Sequence, residues 1–112
     1  MTDQELNLKC VEYLGLDYEL FMNQIMIVTD ISSGNIRKES FSPATNANDA
    51  MLVFDKLKGE HWTFYSHGSD GRVAIEYLHI DTGARDLIWA DTTQEANRAV
   101  LEKIMNIING SD

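Results

Sequence analysis

The sequence predicts an α+β domain, three amphipathic helices packed with an antiparallel sheet in the order α-β(β)-α-β-β-β-α, as a single domain over residues 1–112. Three observations carry that expectation. Capping boxes at Thr2-Asp3-Gln4-Glu5 and Thr92-Thr93-Gln94-Glu95 each open a stretch whose apolar residues recur at helical spacing. Between His61 and Ala90 the pattern switches to a period of two, broken by two short turns, as a meander requires. A chain of 112 residues with 44% apolar content can also bury one core without a disulfide or metal staple.

The first helix carries Leu6, Cys10, Val11 and Leu14 on one face, and Gly15 supplies the stop. Residues 16–23 form a connection whose bulky groups, Leu16, Tyr18, Leu20 and Phe21, are expected to lie against the core. From Gln24 to Ile31 the chain has strand character. Ile25 and Ile27 face one way and Met26 and Val28 the other, which suits burial on both sides. Ser32-Ser33-Gly34-Asn35 supplies a turn, and residues 36–41 return as a ragged edge strand marked by Arg37, Lys38 and Glu39. Beyond Pro43, Thr45 or Asn46 caps a second helix. Asp49 lies in its first turn, Ala50, Met51, Phe54 and Leu57 form its apolar face, and Gly59 closes it.

The meander follows. His61–Ser66 places Trp62 and Phe64 on one face, and Gly68-Ser69-Asp70-Gly71 is the expected loop. Arg72–Ile80 separates Val73, Ile75 and Tyr77 from Ala74, Glu76 and Leu78. After a turn at Asp81-Thr82-Gly83-Ala84, residues 85–90 set Leu87 and Trp89 against Ile88. Both tryptophans are expected in the core. The last helix bears Ala96, Val100, Ile104, Ile107 and Ile108, and ends near Gly110.

Eighteen acidic against nine basic residues leave a net charge of −9. Long-range repulsion then disfavours direct binding to nucleic acid or to an anionic membrane. A basic protein partner fits that charge, although acidity also serves simple solubility. The longest apolar runs are far shorter than the roughly 20 residues a bilayer demands. The opening Met1-Thr2-Asp3-Gln4-Glu5 has neither the basic nor the apolar region of a secretory leader, so a cytoplasmic location is expected.

Three stretches carry a family resemblance: Glu5-Leu6-Asn7 in the opening helix, Phe41-Ser42-Pro43-Ala44-Thr45-Asn46 leading into Asn48-Asp49-Ala50-Met51, and Gln94-Glu95-Ala96-Asn97-Arg98-Ala99 near the end. Together they resemble the small bacteriophage "ABA sandwich" proteins and touch about half of the chain. The resemblance implies a phage or prophage source, hence a bacterial host cell, and helices packed on a sheet. It transfers no activity and no catalytic residues. The region from Tyr18 to Ser40 departs from the family pattern, so no role there is implied.

Three places hold residue types that could carry chemistry. If strands 61–66 and 72–80 pair, His61 comes near His79 with Asp81 close by, a conceivable divalent-metal pair, although cross-strand histidines are usually solvated. Ser66-His67-Gly68-Ser69-Asp70 holds the residue types of a hydrolytic triad, but neighbours on one tight loop rarely converge, and Ser, Gly and Asp suit a turn anyway. Cys10 lies on an apolar helix face without a basic neighbour, where a thiol behaves as a small hydrophobe. No glycine pattern supports a nucleotide site, and no cofactor is expected. The residues favoured for a protein interface are Asp17, Tyr18, Glu19, Phe21 and Tyr65, aromatic groups beside carboxylates. The leading expectation is a non-enzymatic binding protein. One specific form of it is an inhibitor of a host nucleic-acid-handling or defence factor such as a CRISPR nuclease. A self-assembling structural protein and a small metal-dependent hydrolase are the alternatives.

Overall fold

A computed structural model describes residues 1–30 and 36–110. The elements are α1 (Asp3–Leu14), β1 (Tyr18–Phe21), β2 (Gln24–Asp30), β3 (Arg37–Ser40), α2 (Ala47–Gly59), β4 (Trp62–Ser69), β5 (Arg72–His79), β6 (Arg85–Ala90) and α3 (Thr93–Ile108). The α+β class and the three helices are as the sequence predicts. The strands divide into two antiparallel sheets, ordered β1-β2-β3 and β4-β5-β6, each a meander. The expected turn at 32–35 lies outside the described residues.

Helix starts follow their local chemistry. At α1 the Glu5 N–H donates to the Thr2 hydroxyl, and the Thr2 N–H donates to the Glu5 carboxylate. Gly15, at φ 69, ends the helix by donating to the Val11 and Glu12 carbonyls, a left-handed cap that any side chain would strain. At α2 the cap is Asn46, which accepts from the Asp49 N–H. Asp49 in turn accepts from the Ser42 N–H at 2.9 Å, fixing the entry segment to the helix. Thr92 caps α3 by accepting from the Glu95 N–H.

One hydrophobic cluster joins all three helices to both sheets. Leu6, Cys10 and Val11 of α1 meet Val53, Phe54 and Leu57 of α2 and Ala96, Val100, Leu101, Ile104 and Met105 of α3. Ile25 and Ile27 bring in the first sheet, while Trp62, Ile75 and Tyr77 bring in the second. The second sheet packs through β4 on α2 and through β5 and β6 on α3, whereas the first meets the helices through β2 on α1.

Four expectations need correction. The 16–23 segment is not a core-facing connection, because Tyr18–Phe21 pairs with β2 as an exposed edge strand, Tyr18 opposite Ile27 and Phe21 opposite Gln24. β2 is buried on one side only. Ile25 and Ile27 are covered by the helices, while Met26 and Val28 on the outer face are half-buried. The β4–β5 loop shrinks to the two-residue turn Asp70-Gly71, both at positive φ, so Gly68 and Ser69 belong to the strand. Trp89 is not core. Ile88 pairs with the inward Ile75, so Trp89 and Leu87 are turned outward and stay more than 40% exposed. Met51, Ile107 and Ile108 also lie at the margins of their helical stripes and stay half-exposed.

Candidate functional site

The β1–β2 hairpin presents the most exposed apolar group of the described residues. Leu20 is 57%, Phe21 61% and Met22 82% exposed. The connection is the two-residue turn Met22-Asn23, with φ of 50° and 65°. Positive φ at both central residues is the mirror-image turn that favours Asn-Gly, because a Cβ crowds the backbone there. Asn tolerates that region and Met does not, so Met22 holds a disfavoured backbone while its side chain touches little. Phe21 shares the outer face of the sheet with Met26 and Glu19, and Glu19 pairs with Lys38 at 2.6 Å. Tyr18 lies on the opposite face, where its hydroxyl donates to Glu12 of α1 at 3.3 Å and ties down the base of the hairpin. Asp17, just before β1, accepts from the Val28 N–H through its carbonyl, and its side chain is exposed.

Tyr65 is remote from that hairpin in the chain and lies on the second sheet. Its face, opposite to the helices, carries Tyr65, Glu76, Leu87 and Trp89. Tyr65 is 52% exposed. Ala74 in the middle is fully buried, its cross-strand partners being His67 and Trp89. Glu76 binds Arg85 through two short bonds, and Arg72 lies 5.9 Å from the Trp89 ring centroid. The five interface residues expected from the sequence therefore do not share one surface: Asp17 is exposed just before β1, Tyr18 lies against α1, Glu19 and Phe21 on the outer face of the first sheet, and Tyr65 on the second.

The histidines are dispersed. His61 Nδ1 meets Asp81 Oδ2 at 2.5 Å, with both side chains about 60% exposed. The hydrogen bond that His61 donates to the Asp81 carboxylate raises the His61 pKa and lowers that of Asp81. His79 pairs with Trp62 rather than His61, and its Nδ1 accepts from the Thr82 N–H, which holds the following turn. Among the described residues no three His, Cys, Asp or Glu side chains gather at metal-binding distances. In the 66–70 stretch, strand alternation turns Ser66 and His67 to opposite faces, and Ser69, on the face of His67, bonds its neighbour Asp70 rather than the imidazole. Burial pushes the Cys10 thiol up to about 12, leaving it protonated at neutral pH.

A recess of about 400 Å3 lies between the first turn of α1, the turn of the hairpin and the segment 40–45. Part of its polar lining is already engaged. The Asn7 side-chain N–H donates to Ser42 at 3.1 Å, its oxygen accepts from the Ala44 N–H at 2.8 Å, and the Ser42 and Thr45 hydroxyls bond each other. Asp3, its carboxylate, is held by Arg98 at 2.6 Å. This is a structural clasp.

No family model matches the chain, and neither the curated proteins nor the solved structures include a match to it. No helix of the described residues is long and apolar enough to cross a membrane. Sequence reasoning missed Leu20 and Met22 because it placed them in a core-facing loop. A signal was present: an Asn preceded by bulky residues and followed by the alternating Gln24–Val28 run marks a possible hairpin turn.

Proposed function

We propose that this chain is a non-enzymatic binding protein, of the kind small phage or prophage genomes supply, that inserts the apolar turn of its first hairpin into a concave pocket on a host or phage protein. The observation that carries the reading is Met22, whose backbone is disfavoured and whose side chain is 82% exposed. Backbone strain of this kind, on the order of 1–2 kcal/mol, persists at sites where the strained residue serves function. Asp17 and Glu19 lie behind the turn, so the pocket's rim is expected to be basic, in keeping with the net charge of −9. The same carboxylates argue against insertion into an anionic bilayer. Inhibition of a nucleic-acid-handling or defence factor in the host cytoplasm is one specific form of this reading. Duplex mimicry is disfavoured by the interleaving of acids with cations, as in Glu19–Lys38, Glu76–Arg85 and Asp86–Lys103.

The double replacement Met22→Asn with Asn23→Gly tests this directly. It restores the preferred turn chemistry and removes the apolar tip. A thermal midpoint equal to or above the parent, together with lost capture of the partner from a bacterial lysate, is the expected result. Undiminished capture would sink the reading. A second reading, self-assembly, is favoured by the uncovered Tyr65–Leu87–Trp89 face. Light scattering then gives a dimer that Trp89→Ser dissociates, whereas a monomer at tens of micromolar, a concentration at which modest apolar interfaces already associate, removes it.

A further inference from the structure

Where α2, β4 and α3 diverge, the core stops short and leaves a recess of about 150 Å3. Met51 and Phe54 of α2, Phe64 of β4 and Ile75 of β5 line it, with the two phenylalanine rings edge to face at 4.9 Å. Its buried polar member is Asn97 of α3, only 7% exposed. The Asn97 side chain bonds to none of the described residues. No side-chain nitrogen or oxygen among them is both sealed from solvent and unbonded, so this amide opens onto the recess. Asn7, the other buried amide, is the contrast, because both ends of its side chain are used inside the protein. Lys58 at the end of α2 and the exposed Ser66 of β4 complete the lining, neither with an ion pair or side-chain hydrogen bond to a described residue.

We propose that this recess binds a monocyclic aromatic carboxylate, with the ring against Phe54, Phe64 and Ile75 and the carboxylate accepting from the Asn97 amide and Lys58. An enclosed apolar cavity of about 150 Å3 takes up benzene, and this recess, open to solvent beside Met51, Lys58 and Ser66, has room for one ring. A neutral aliphatic group leaves Asn97 and Lys58 without a partner, and an inorganic anion leaves the apolar walls wet. The site is separate from the hairpin and does not depend on its role.

The test is a titration of the intact 15N-labelled protein with benzoate, against benzyl alcohol and acetate. Benzoate is expected to shift the Asn97 side-chain amide pair and the backbone amides of Phe54 and Phe64, and to bind about tenfold more tightly than either comparison compound, the worth of one charge-assisted bond or of the ring. Asn97→Leu is expected to abolish binding while raising the thermal midpoint, because it removes an unpartnered amide. Lys58→Gln is expected to weaken benzoate about tenfold without affecting benzyl alcohol. An unmoved Asn97 signal at saturating benzoate overturns the proposal, as does equal binding of benzyl alcohol. A lowered midpoint in Asn97→Leu also overturns it, since the amide would then be a satisfied structural group.

Discussion

His61 stands at φ 74 between the end of α2 and the first residue of β4, and its ring is paired with Asp81 in the β5–β6 turn. Asp81 raises the His61 pKa above 6.5, so the pair's contribution is fully present below the unfolded histidine value and is lost as pH rises through the folded one. The Asp81 pKa is depressed below 3.8, so its contribution is present above the unfolded value and is lost as pH falls through the folded one. The window of stabilisation therefore runs from mildly acidic to near-neutral pH. His61→Asn keeps a side chain that tolerates positive φ while removing the titration. Unfolding stability measured from about pH 6 to 8, where histidine titrates, should fall less steeply in the variant. Equal slopes in both proteins would refute this role for the pair. Arg98 offers a second residue-scale case. Its guanidinium donates to Asp3 at 2.6 Å, Glu102 at 2.7 Å and the Met1 carbonyl at 2.7 Å, joining the start of the chain to α3. Arg98→Met should cost about 1–2 kcal/mol in urea unfolding, because it frees a shared network rather than one exposed pair. A loss below a few tenths would place it with ordinary surface ion pairs.

At the scale of elements, the side-chain amide of Asn7 ties α1 to the segment that leads into α2, through Ser42 and the Ala44 N–H, while at the other end of α1 the Lys56 ammonium of α2 donates to the Tyr13 carbonyl. Asn7→Ala leaves the buried Ala44 donor unbonded, and about 1–3 kcal/mol of stability should be lost. Asn7→Asp should recover part of that loss, since it keeps the acceptor. Failure of Asp to improve on Ala would mean that packing, not the hydrogen bond, is what Asn7 supplies. The helices themselves were legible in the sequence because their signals are local. A Thr three residues before a Glu and a Gly after the last apolar residue act over four or five positions and need no tertiary context. The hairpin was not, because a Met-Asn turn lacks the glycine that marks such connections, and bulky residues around it imitate a buried loop. Trp89 was misplaced for another physical reason. Alternation in Leu87-Ile88-Trp89 defines two faces but not which one is covered, and only pairing of Ile88 with Ile75 decides it. The proposed interface inherits both limits, since the sequence singles out Phe21 and not its neighbour Met22.

For the whole molecule, the two sheets differ in how firmly they are held. The radius of gyration is 15.0 Å against about 13 Å for a compact chain of this length, and the longest extent is 48 Å. The second sheet rests on two helices, with Trp62, Ile75 and Tyr77 in the core. The first meets them through β2, and its flanking strands β1 and β3 are exposed throughout. Burial, not hydrogen bonding, then sets the order in which they open, because both sheets have complete antiparallel ladders between their strands apart from the shift in register at Val28–Asp30. Native-state hydrogen exchange should show amides of β5 opening only with the whole molecule. Those of β1 and β3 should open through a local route costing several kcal/mol less, by the general gap between edge elements and cores. Such a difference would let the hairpin adapt to a partner's pocket without disturbing the helices. Binding of that partner should then slow exchange in β1 while β5 stays unchanged. If β1 and β5 exchanged at one common rate in the free protein, the first sheet would be an integral part of the core, and an adaptable hairpin could not be the means by which this chain engages its partner.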